Sequence, residues 1–88
     1  MKPARQNEIA LHVWCYVATY FARFINADTR GVNFTWEEFP RMAQDRCVYD
    51  MWALTGLKDK SKNPEEELEF IRINSKIIAK NLVEKAGL

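Results

Sequence analysis

The sequence predicts an all-α fold: a compact three-helix bundle with a short extra helical turn before the second helix, one domain over residues 1–88, and a dimeric state. Three observations predict it. Apolar residues recur at helical spacing through three long segments, two clusters of turn-forming residues divide those segments, and no stretch alternates with the period of a paired strand. Val32 to Phe34, the nearest approach to a strand, is too short and has no pairing partner. The chain has room for a single domain at 88 residues. Its 48% hydrophobic and 28% charged residues place it with globular proteins rather than disordered ones.

The first helix is expected from about Arg5 to Asn26. At 100° per residue, Glu8, His12, Thr19, Arg23 and Asn26 fall within one narrow stripe. Ile9, Leu11, Val13, Trp14, Val17, Tyr20, Phe21, Phe24 and Ile25 occupy most of the remaining circumference. A helix so widely apolar is expected at the centre of the fold, covered on several sides.

Asp28, Gly31 and Asn33 end that helix as turn formers. The next start signal is a capping box, Thr35 with Glu38, joined to a hydrophobic staple of Phe34 and Phe39. Pro40 stands a few residues inside, where its missing N–H breaks the bond to the Trp36 carbonyl. The expectation is a short initial turn from Trp36, a kink or restart at Pro40, and a second helix continuing to about Thr55. Its core face is expected to be Phe39, Ala43, Cys47, Met51 and Leu54.

Gly56 closes the second helix, and Lys58 to Lys62 is the clearest loop in the chain. Asn63, Pro64 and Glu66 then suit the N-cap, first and third positions of a third helix. Glutamates at 65, 66, 67 and 69 lie near its start and lysines at 76, 80 and 85 toward its end, which complements the helix dipole before Gly87 terminates it.

Composition narrows the function classes. Thirteen basic and twelve acidic residues leave a net charge of +1, so no global field steers the protein to nucleic acid or an anionic membrane. The uncharged run from Ile9 to Ala22 is short of the roughly 20 residues that span a bilayer. Two cysteines, and a beginning that bears Glu8 and His12 where a signal peptide would be cleanly apolar, read as a reduced, cytoplasmic protein.

Four groups of residues carry functional expectations. On the second helix, Val48 and Trp52 point away from the core face beside Arg41 and Asp45, with Tyr49 adjoining. Trp, Tyr and Arg are enriched at interface cores, so Arg41, Val48, Tyr49 and Trp52 are the expected partner-binding group. The alternative is that Trp52 folds back over the loop from Gly56 to Asn63. On the third helix, Asn74 and Asn81 stand a heptad apart within an apolar face, like the buried asparagines that set register in coiled coils. With Phe70 and Ile77 they are the expected oligomer interface, unless each amide caps a loop carbonyl or sees water. Lys58, Lys60 and Lys62 form a basic loop open to a nucleic-acid reading, weakened by Asp59 and the glutamates that follow. Glu8, His12 and Cys15 share one helix side at spacings that permit acid, base and nucleophile roles, with no motif around them.

Too few Cys and His ligands are present for a structural zinc site, and no cofactor is expected. The expected function is therefore a small non-enzymatic helical protein that homodimerises and binds another macromolecule, in an accessory or regulatory role such as a phage or mobile-element protein fills. A nucleic-acid-binding regulator is the alternative, and a small enzyme using Glu8, His12 and Cys15 the second alternative.

Overall fold

The computed structural model describes residues 1–26 and 35–88, leaving aside the side chain of Cys47. The turn formers Asp28, Gly31 and Asn33, the staple residue Phe34 and the core role of Cys47 lie outside the described residues. Within them the chain is all-helical: α1 (Pro3–Asn26), α2 (Phe39–Leu54), a short 3₁₀ helix (Leu57–Lys60) and α3 (Pro64–Ala86).

The start of α2 departs from the capping-box expectation. Glu38, not Thr35, is the N-cap, and no side chain caps the helix. Residues Trp36 to Glu38 form a turn, closed by Glu38 N–H to the Thr35 carbonyl at 3.1 Å. Pro40 explains the choice. A helix begun at Trp36 would need a Pro40 amide that does not exist, whereas a helix begun at Phe39 puts Pro40 in the first turn, where no amide partner is required. The expected short turn from Trp36 is present, and a further short helical element is found after α2, inside the loop expected to be irregular. Gly56 enters it at φ 78°, a left-handed conformation that favours glycine, and Leu57 then drops into the core.

The start of α3 follows the expected pattern. Asn63 Oδ1 accepts the Glu66 N–H at 3.3 Å, while Asn63 Nδ2 donates to the Glu66 carboxylate at 3.1 Å. Gly87 closes the helix at φ 71°.

One core joins the three long helices: Ile9, Val13, Val17, Phe21 and Phe24 from α1, Phe39, Ala43, Met51 and Trp52 from α2, Leu57, and Ile71 and Ala79 from α3. Its densest part is aromatic. Phe39 lies 5.4 Å from Phe21 and 6.0 Å from Phe24, and Trp36 reaches Phe24 at 4.1 Å between ring centroids. On α3 the fully buried Ser75 and Ala79 are small, which lets a neighbouring helix approach closely, and Ser75 satisfies its hydroxyl on the Ile71 carbonyl at 2.7 Å.

Two packing expectations are corrected. All three long helices pack on one another, and α1, expected to be covered on several sides, supplies five core residues but leaves Leu11, Trp14 and Ile25 exposed. Leu54, expected in the core, is 79% exposed, and Trp52, expected to face outward, is 5% exposed. The buried stripe of α2 advances around the helix as residues recur every four positions, about 40° per step. By the last turn the core side has moved from the Phe39 line to Met51 and Trp52, leaving Leu54 outside.

Candidate functional site

A buried polar cluster fastens the two ends of the fold together. Arg5, on the first turns of α1, donates from Nε to Glu67 Oε1 at 2.9 Å and from Nη2 to the Leu57 carbonyl at 2.6 Å. Ser61 Oγ donates to the other Glu67 oxygen. Beside this cluster lies a cavity of about 290 Å³ lined by Met1, Lys2, Arg5, Lys60, Lys62, Asn63, Glu66 and Glu67. Two of the three loop lysines therefore converge on one cavity, with two glutamates in its wall. Lys58 is apart from them, its ammonium 5.9 Å from the centre of the Trp52 ring.

The polar stripe of α1 borders an open groove of about 370 Å³ lined by His12, Cys15, Tyr16, Thr19, Tyr20, Arg23 and Thr55. His12 is half-buried, and the Cys15 thiol is exposed and unbridged. Glu8 is not in this wall; its carboxylate accepts from Arg5 Nη1 at 3.3 Å, which draws it toward the opposite end of the helix from the groove. The three residues of the catalytic alternative are thus not brought to one point. Among the described residues no three His, Cys, Asp or Glu side chains stand where they could share a metal ion, and no helix is long and apolar enough to cross a membrane.

The partner-binding group is divided. Arg41 and Tyr49 are exposed and Val48 is half-buried, but Trp52 belongs to the core, with Tyr49 set edge-on against it at 6.4 Å. This is the alternative in which the tryptophan folds inward over the loop. Its indole Nε1 is buried with no hydrogen-bond partner. On α3, Asn74 spends its amide on the Phe70 carbonyl at 2.8 Å, and Phe70 is half-buried. Ile73 and Ile77 are half exposed and Asn81 is exposed. The Ile73 edge is bordered by Glu69 and Arg72, whose paired hydrogen bonds hold the Glu69 carboxyl below the usual carboxylate range and raise Arg72.

Among the described residues, a further exposed apolar line lies on the side of α1 that points away from the core. Leu11 is 64%, Trp14 54% and Ile25 46% exposed, and Ala18 and Ala22 complete the line between them. These positions recur at 3.6 residues, and no charged residue falls on their line, Glu8 and Arg23 lying to its side. Leu11, Trp14 and Ile25 belong to the wide apolar circumference that spacing alone places under neighbouring elements. The signal that separates them is the pair of alanines at 18 and 22: the core line, Ile9, Val13, Val17, Phe21 and Phe24, contains no such small residues.

No protein-family model matches the chain, and no match emerges among curated proteins or solved structures. The surfaces above are accordingly what bears on function.

Proposed function

We propose that this is a small non-enzymatic helical protein that self-associates and works by binding another macromolecule. The observation that carries the reading is the uncharged apolar stripe of α1. The stripe exposes a tryptophan, a leucine and an isoleucine, and exposed apolar patches of this kind often mark interaction sites. The exposed Tyr49 and Arg41 on α2, and the Ile73 and Ile77 edge of α3, supply separate contact groups for a different partner.

Sedimentation equilibrium across the micromolar range tests the first half. The expected result is a dimer that becomes a monomer on Trp14→Asp; a wild-type monomer at every concentration rejects self-association. For the second half, a photo-crosslinking residue at Tyr49 in the producing cell is expected to trap one discrete heterologous adduct, and the absence of any such adduct rejects that role for α2.

A second reading, a nucleic-acid regulator, draws support from Lys60 and Lys62 sharing their cavity with Lys2 and Arg5. Affinity for DNA or RNA is then expected to fall steeply with salt and on Lys60→Ala with Lys62→Ala. Binding indifferent to both removes that reading.

A further inference from the structure

Resting on the self-association read above, we infer its geometry: two copies pair through their α1 helices, antiparallel, about a two-fold axis at Ala18. An isologous contact requires a surface complementary to itself, with residue i meeting j and j meeting i. The α1 stripe has this property in one register. A two-fold axis through Ala18 sets each residue against the one equally far beyond position 18. Leu11 then faces Ile25 of the second copy, Trp14 faces Ala22, and Ala18 faces Ala18. The one very large side chain meets a methyl group, and the two smallest residues meet at the axis. Parallel pairing would instead set Trp14 on Trp14 and leave two facing alanine layers with nothing to fill them.

The order of sizes also fits the way helices cross. Trp14, Ala18 and Ala22 form a ridge at four-residue spacing, and packing two such ridges crosses the axes at about −50° with the closest approach in the middle. Axes about 8 Å apart at Ala18 separate to roughly 12 Å at Leu11 and Ile25, a gap that two branched aliphatic side chains span. Small residues at the crossing and larger ones at the ends are what this geometry needs.

The available area is that of a small interface. The exposed parts of Leu11, Trp14 and Ile25, with the alanines and their flanks, amount to roughly 500 Å² per copy, so a dimer buries about 1,000 Å² in total, the lower limit of a specific interface. The α3 edge is less suited to a second copy, because Glu66, Glu69, Lys80 and Glu84 surround Ile73 and Ile77 on the helix surface.

Charge exchange at the two ends of the stripe tests the register. Leu11→Glu alone and Ile25→Lys alone are each expected to weaken dimerisation at least tenfold by sedimentation, with far-UV circular dichroism unchanged because both positions are exposed. Combined in one chain they set opposite charges across both end layers, and the dimer is expected to return. Leu11→Lys with Ile25→Lys, which sets like charges there, is expected to stay monomeric, and Ile77→Glu to dimerise as the wild type does. A wild-type monomer overturns the self-association reading together with this inference. A wild-type dimer that ignores the α1 variants, dissociates on Ile77→Glu, or fails to recover in the opposite-charge pair keeps that reading and overturns the α1 register alone.

Discussion

At position 67 the chain carries a carboxylate into its interior, 3% exposed, and answers it with a guanidinium and a hydroxyl from two other elements. Desolvating two charges costs several kcal/mol each, so the net contribution of such a pair is small. Breaking it from one side is not, because the other charge is left behind. The two sides differ in what they leave. Removing Arg5 strands a carboxylate almost sealed from water, whereas removing the charge at Glu67 leaves a guanidinium still 17% exposed and bonded to the Leu57 carbonyl. Arg5→Ala is therefore expected to cost about 3–5 kcal/mol in urea unfolding, and Glu67→Gln about 1–3 kcal/mol. Equal and small losses would show that the cluster does not hold the ends of the fold together. Neither Arg5 nor Glu67 stands out in the sequence, where one reads as a basic residue near the beginning and the other as one of several glutamates at a helix start. Their pairing spans 62 residues and depends on the 3₁₀ helix turning Ser61 inward.

Helix ends show where local chemistry decides and where it is overruled. At Asn63 the side chain closes the first turn of α3 and Pro64 follows at a position that needs no donor, so local preference and outcome agree. At Thr35 an equally good local signal is set aside, because Pro40 allows the helix to begin only at Phe39. Asn63→Ala is expected to cost about 1 kcal/mol, and Thr35→Ala less than about 0.5 kcal/mol; thermal unfolding of the two variants checks the contrast. The same division separates what was legible in the sequence from what was not. The three long helices, the glycines at 56 and 87, the caps of α3 and most of the α1 core line follow from spacing and residue type alone. The inward turn of Trp52, the outward turn of Leu54 and the helix within the lysine loop do not. They depend on how far the buried side of α2 has rotated by its last turn and on Leu57 docking in the core, both tertiary outcomes. For the candidate surface, the surplus of apolar helix area was legible and its address was not. A helical wheel treats Trp14 and Val17 alike until a neighbour occupies one side.

For the whole molecule, the extents are 41 × 23 × 17 Å and the radius of gyration is 13.4 Å, above the roughly 12 Å of an average globule of this length. Three helices laid in so thin a body cannot give each rod a covered circumference, and on α1 the difference shows at Leu11, Trp14 and Ile25. The three tryptophans sample this unevenly: Trp14 in water, Trp36 half covered in the aromatic cluster, and Trp52 sealed with its indole N–H bonded to nothing. An indole buried away from water emits toward the blue end of its range and one in water toward the red end, so the intrinsic fluorescence of this chain is expected to be broad. Dilution through the dissociation range should add intensity at the red edge alone, and Trp14→Phe should abolish that change. Trp52→Phe should instead remove the blue shoulder at every concentration. The molecule thus contains its own optical gauge, one indole reporting the state of the interior and another, under the proposed pairing, the state of assembly, without any attached dye.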